Sequence, residues 1–516
     1  MGERVSKSIK NAEVNLLFYF LTLFLSFFSR KIFLSNLGAE FIGLQGTLGN
    51  ILGYLNLAEL GIGSCISFFL FKPLQSNNRL EINDILSVFG YLYRCIGLII
   101  LSVAIILSLF FPLIFHNQEL PFSIIYFSFF SILGSSLIGY FINYRQIVLS
   151  ADQKGYVVAI YFQSANMIRV AIQIWLAMRF KNLYIWIATE FLFSVIGCIV
   201  LNWKINKEYP WLKTDIKKGK LLLKRYPSII SNTRQIFIHK IKDFILNKSD
   251  ELFVFAFVSL KMVAYYGNYT MIVSKVGQVF SSILDSTYAG VGNLVAEGNK
   301  QNTMKVFWEL MTIRHFVAGL LCFSIYHFIE PFIAIWLGPE YILNREILLL
   351  LCIHIYISTS RGVVDMFNHS HGLYADIWSA WTELGINIVI TVIAGYYWGI
   401  FGILLGKIAS TSIIIVLWKP YYLYNSGFHE NNLSYWKGAI CNYGVSISSI
   451  IIAHIIIKHI FEMSAYTSYL SFAIFCIGGL TIYLSINILL TVFLCKGAKD
   501  CYYRIKQIMN TQKGNN

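Results

Sequence analysis

The chain has 516 residues, of which 57% are hydrophobic, 16% aromatic and only 13% charged. A soluble globular chain carries about 25% charged residues, so water-soluble domains are excluded as the main content of this protein. The formal net charge of +15 would suit a nucleic-acid binder, but the basic residues gather in alternate loops between long apolar runs, which points to a membrane and away from nucleic acid.

About fourteen apolar segments fill the chain from Asn15 to Leu494. A spanning helix needs about 20 mostly apolar residues, and runs such as Ile96 to Phe115, Phe122 to Phe141 and Val317 to Ile335 meet or approach that. Lipid offers the backbone no hydrogen-bond partner, so these runs must be helices or a closed barrel. Their continuous Leu, Ile and Phe content, without strand-like alternation, excludes the barrel.

In chain order the expected spans are 14–36, 42–71, 86–115, 121–149, 156–179 and 182–203, then 228–259, 263–293, 305–335, 344–370, 374–397, 400–424, 435–459 and 466–494. The first run is too long for a cleavable leader and lacks a small-residue cleavage pattern, so it is expected to remain as a helix. Lys204, Lys207, Lys213, Lys217, Lys218, Lys220, Lys224 and Arg225 form a basic connector after the sixth span, whereas His116 to Pro121 and Gly338 to Tyr341 contain no Lys or Arg. The positive-inside rule therefore predicts an even number of spans, with both termini and the connector in the cytoplasm.

The expected organisation is an all-α polytopic membrane protein of two six-helix lobes plus a C-terminal helix pair. Its parts are 1–203 (N-terminal lobe), 204–227 (connector), 228–424 (C-terminal lobe) and 425–516 (final pair and tail). Two sets of six helices suggest an internal duplication of the kind many transporters show. The nine cysteines are scattered, with no CxxC and no histidine at ligand spacing, and read as packing residues.

Charges inside spans are the chemically informative residues, because a charge at mid-bilayer is costly and faces a cavity or a partner. Arg30 and Lys31 lie in the first span, Arg314 in the ninth and Lys407 in the twelfth. The seventh carries Arg234, His239, Lys240, Lys242, Asp243, Lys248, Asp250 and Glu251, too many for a lipid-facing helix. In the tenth, Arg361 and Asp365 stand four apart, on one helical face. A mainly basic cavity suits an anionic ligand, and a guanidinium fork matches phosphate oxygens. Bland readings stand beside these: Arg30 and Lys31 as snorkelling residues, Arg361 with Asp365 as an intrahelical pair, and a seventh span that starts nearer Phe244, which would remove Arg234 from a cavity. No phosphate-cradling loop, zinc-protease motif or nucleophile elbow is present, so the chain reads as a non-enzyme with no cofactor.

Asn36 to Leu44, Leu57-Ala58-Glu59-Leu60-Gly61-Ile62-Gly63 and Phe71-Lys72-Pro73-Leu74 resemble the opening of the Wzx-type polysaccharide flippases. That family belongs to the multidrug/oligosaccharidyl-lipid/polysaccharide transporter superfamily. The resemblance continues through Lys248-Ser249-Asp250, Tyr265-Tyr266-Gly267-Asn268-Tyr269, Gly292-Asn293-Leu294, Pro331 to Gly338 with Tyr341, Arg361, Gly372-Leu373-Tyr374 and Trp398 to Gly402.

The resemblance implies a two-lobed bundle in a bacterial inner membrane that translocates undecaprenyl-diphosphate-linked oligosaccharide for surface polysaccharide synthesis. The head group would occupy a basic cavity while the prenyl tail stays in lipid, and the lobes would rock to give alternating access. It assigns substrate binding to Arg30, Arg234, Lys248, Arg314 and Arg361; the charges inside spans add Lys31 as a further candidate, with Asp250 and Asp365 as coupling or structural partners. Membrane lipid, a polysaccharide polymerase and chain-length machinery are the implied partners. The alternatives are a cation-coupled multidrug or small-solute antiporter of the same superfamily, which calls for acidic cavity residues, and a membrane polymerase or acyltransferase, which calls for a large catalytic loop.

Overall fold

The computed structural model describes residues 2–59, 62–116, 118–152, 154–285, 287–373, 376–460, 468–495, 497–501 and 504, and within these the side chains of 2–12, 58, 64, 228, 231, 232, 234–240, 242, 243, 247 and 289 lie outside the described set. Among the described residues the protein is predominantly helical with no strand, and ten helices are long and apolar enough to cross a membrane. It is an all-α, multi-pass membrane protein.

The helices group into two compact units, Met1–Ala264 and Tyr265–Asn516. The first contains α1 (Gly2–Leu37), α2 (Ala39–Leu55), α3 (Ile62–Gln75), α4 (Arg79–Ser108), α5 (Phe122–Phe141), α6 (Gly155–Phe180), α7 (Leu183–Glu208) and α8 (Pro227–Phe257). The seventh expected span, now α8, packs on α2 and α3 within this unit. The second holds most of α9 (Leu260–Asp285), then α10 (Tyr288–Ala296), α11 (Lys300–Trp336), α12 (Arg345–Ser370), α13 (Ile377–Phe428), α14 (Asn432–Ile460) and α15 (Tyr469–Leu494).

Local chemistry sets the helix starts. Asn78 accepts from the Glu81 amide at 3.3 Å while its own side-chain amide donates to the Glu81 carboxylate at 3.0 Å, a reciprocal cap that opens α4. Asn182 opens α7 and Ser468 opens α15 by the same use of a side-chain oxygen on an orphan amide. Large apolar side chains remain exposed, among them Leu98, Ile106 and Leu113 in and just after α4 and Ile393, Tyr397 and Trp398 in α13. Patches of that extent mark contact with lipid rather than water.

Three expected spans take an unexpected form. The second is broken into α2 and α3 by a 3₁₀ turn at Asn56–Glu59. The eleventh and twelfth are one helical hairpin, α13, whose chain reverses at Gly399 (φ 56°, ψ −131°), a backbone state that only glycine adopts readily. Thr391 donates from Oγ1 to the Ile403 carbonyl at 3.3 Å, so the two arms lie against each other. At the open end Asp376, almost fully buried, accepts from Lys419 at 2.7 Å, from Ser379 at 3.0 Å and from the Trp418 indole at 3.1 Å, clamping the start of one arm to the other. Burial pushes the Asp376 carboxyl up, but Lys419, Ser379 and Trp418 together hold it below its ordinary value.

The final pair, α14 and α15, packs on α11 around Phe323, Ala453, Ile457, Phe475 and Tyr483. A buried polar seam runs through that packing: Asn487 donates to the Tyr483 hydroxyl at 2.9 Å, and Ser449 donates to Asn487 at 3.3 Å. Buried amides and hydroxyls paired in this way fix register between helices that would otherwise slide on apolar contacts.

Candidate functional site

In the second unit α9, α11, α12 and α13 converge on a charged cluster. Arg314 of α11 is buried and donates from Nη2 to Asp285 at 2.6 Å, while Nη1 reaches the Thr359 carbonyl at 3.5 Å. Its guanidinium lies flat on Gly362, where a Cβ would stand 2.0 Å from Nη1. Glycine at 362 is therefore what lets α12 come this close to an arginine of its neighbour.

Arg361 sits beside it, at the junction of the Arg345–Ser360 and Gly362–Ser370 stretches of α12. Arg361 is half-buried and touches Asp365 through Nε at 3.4 Å, as the four-residue spacing predicts. Among the described residues its two terminal amino groups have no hydrogen-bond partner. Lys407 of α13 and Arg361 both act electrostatically on His354, whose Nδ1 is buried without a bond, so three cationic side chains and two carboxylates share this region. Guanidinium stays charged at any accessible pH, and the unbonded fork of Arg361 can receive two oxygens of a phosphate or carboxylate.

The first unit presents a different chemistry. The 3₁₀ break brings Glu59 against two tyrosines: Tyr93 of α4 and Tyr140 of α5 both donate to its carboxylate, the latter at 2.7 Å. Tyr140 and Ser136 also donate to Asn56 at 3.1 and 3.3 Å. Among the described residues no basic side chain pairs with Glu59. Nine residues earlier Asn50 donates to Glu251 of α8 at 2.5 Å, and Ser249 and Asp250 are buried beside Glu251 in sequence. In the sequence Glu59 stands within the Leu57–Gly63 motif, with nothing in that motif to mark it as a site. The signal that singles it out is a lone carboxylate in a glycine-rich apolar span, where no basic residue stands within helical reach.

The remaining residues singled out from sequence are scattered. Arg30 is half-buried on α1 and donates to the Ala264 carbonyl at 3.0 Å. Lys31 and Lys248 are exposed. The Arg234 side chain lies outside the described residues, although its backbone is part of α8. The structure thus brings Arg314, Arg361 and Asp365 together with Asp285 and Lys407, which sequence alone did not link.

No family model matches the chain, and no curated protein matches it. Solved structures do. A lipid II flippase, MurJ, in an inward closed conformation superposes with a TM-score of 0.67 at 16% identity, covering 93% of this chain and 98% of that one. The chain is similar in fold to that flippase. An inward-facing multidrug resistance transporter of the MATE family, in the MOP superfamily, superposes with a TM-score of 0.53 at 13% identity, covering 80% of this chain and 97% of that one. At these identities the likeness is one of fold.

Proposed function

We propose that the protein is a flippase of the multidrug/oligosaccharidyl-lipid/polysaccharide superfamily that moves a prenyl-diphosphate-linked oligosaccharide across a bacterial inner membrane. The observation that carries this reading is the end-to-end correspondence with a lipid II flippase, which accounts for nearly the whole of both chains. The drug transporter leaves a fifth of this chain without a counterpart. The charged cluster supports it chemically: the open fork of Arg361 would take diphosphate oxygens, and Arg314, held on Gly362 by Asp285, would add positive field from beneath. Arg30, Lys31, Lys248 and Arg234 remain proposed contributors, with Asp365 and Asp250 as partners. Export by alternating access would deliver the cargo to polymerase and chain-length machinery on the far side.

A second reading, cation-coupled export of small solutes, draws on Glu59, a carboxylate held by two phenols and, among the described residues, by no base. Deletion in the native host separates the two. Loss of surface glycan, with lipid-linked repeat units accumulating on the inner face, is expected from the flippase. Unchanged glycan with altered drug sensitivity would overturn it in favour of the second reading.

A further inference from the structure

A groove of about 510 Å³ opens on the first unit between α5 and the last turns of α7. Its walls are apolar: Ile138, Ile142, Phe191, Val195 and Ile199. Phe191, Ile142 and Ile199 are exposed large hydrophobics, so the groove opens on the face turned to lipid. At the end of α7 the lining turns polar, with Asn202, Trp203 and Asn206.

Behind those amides stands Arg145, on the 3₁₀ turn that follows α5. It donates from Nη1 to Asn206 at 3.0 Å and from Nη2 to Asn202 at 2.8 Å, and the Asn202 amide is itself oriented by Asn143 at 2.7 Å. Nearby cations are neutralised. Lys154 bonds Asp152 and Glu208 at 2.9 Å each, Lys204 bonds Glu208 at 3.0 Å, and Arg169 of α6 bonds Glu190 at 2.7 Å. Arg145 alone in this neighbourhood meets only neutral amide oxygens; no carboxylate pairs with it among the described residues. Lys207 adds a second charge at the rim, its ammonium 5.4 Å from the centre of the exposed Trp203 ring.

An apolar trough that ends in a half-buried, unneutralised guanidinium, a rim lysine and an interfacial tryptophan has the polarity of an amphiphile with one anionic head. Tryptophan and basic residues favour the headgroup level of a bilayer, and guanidinium pairs strongly with phosphate oxygens. We propose that this groove is a binding site for an anionic glycerophospholipid, one acyl chain lying along Ile138, Val195 and Ile199 and the phosphate held by Arg145 and Lys207. The site lies within the first unit and is independent of the cargo reading. Its role is to fasten the α5–α7 face to the surrounding lipid.

The test uses the full chain purified in detergent, with lipid retention read by native mass spectrometry during titration with phosphatidylglycerol or phosphatidylcholine. Phosphatidylglycerol should bind more tightly than phosphatidylcholine. Arg145→Gln should weaken it on the order of tenfold, the scale of one charge-assisted hydrogen bond, while Lys72→Gln on the exposed face of α3 should leave it unchanged. Ile199→Trp, at an exposed position that keeps Arg145 intact, should block the acyl chain and weaken binding even where Arg145→Gln proves poorly folded. Phosphatidylglycerol binding by Ile199→Trp as by the parent protein would overturn the proposal, as would equal retention of the two lipids. Displacement by a prenyl diphosphate but not by phosphatidylglycerol would overturn it too, because the groove would then belong to the cargo.

Discussion

Among the described residues the two terminal amino groups of Arg361 have no partner, whereas Arg314 is locked between Asp285 and the Thr359 carbonyl, so the two arginines should respond differently to substitution. Arg361→Lys keeps the charge and loses the fork, and should retain part of the transport. Arg361→Ala should abolish it with membrane abundance near that of the parent, because a half-exposed side chain with a single 3.4 Å contact contributes little to folding. Normal export by Arg361→Ala, measured on the lipid-linked glycan, would reduce the residue to an intrahelical partner of Asp365. Legibility at this scale follows sequence separation. The Arg361–Asp365 pair could be read from spacing on one helix face. The Arg314–Asp285 pair joins two helices, and the glycine beneath it belongs to a third, so no periodicity reports it.

At the scale of the element, α13 shows what holds a hairpin whose arms are both apolar. The apolar runs 374–397 and 400–424 were legible as two spans, but not as one hairpin turning on a single residue, because hydropathy averages over the backbone conformation of Gly399. The second span was read as continuous for the same reason: Asn56 and Glu59 are too few polar residues to interrupt an apolar window, yet the helix breaks there. Breaking a buried ion pair by removing one partner costs about 3 kcal/mol or more, so Asp376→Ala should lower the melting temperature of the purified protein clearly. Asp376→Asn, which still accepts from Ser379 and Trp418, should fall between. An unchanged melting temperature in Asp376→Ala would show that packing alone holds the arms. Because the folded carboxyl is held below its ordinary value, its stabilisation is fully present above the usual Asp range near about 3.9 and is lost as pH falls through the lower folded value. The melting difference between Asp376→Ala and the parent should accordingly stay constant from neutral pH down to about 5.

Across the whole molecule, charge placement is the property that joins topology to function. The basic connector and the tail should share a side of the membrane, so reporter fusions after Lys218 and after Lys499 are both expected to read as cytoplasmic; an external signal at either would break the even-span arrangement. Beyond orientation, basic residues on separate helices can act together on an anionic cargo, since charges held in a low-dielectric surround focus potential more strongly than charges on an open surface. The connector supplies a control, because Lys217 and Lys220 are solvent-facing charges with no place in the proposed binding chemistry. Arg361→Glu combined with Lys407→Glu, both in the second unit, should reduce export about tenfold or more relative to Lys217→Glu combined with Lys220→Glu, the loss of one or two charge-assisted contacts. Both double variants change the net charge by the same four units, which removes bulk charge as an explanation. Export of the lipid-linked glycan would be compared at matched protein levels, and equal losses in the two would mean that net charge or folding, rather than a binding field for an anionic cargo, accounts for Arg361 and Lys407.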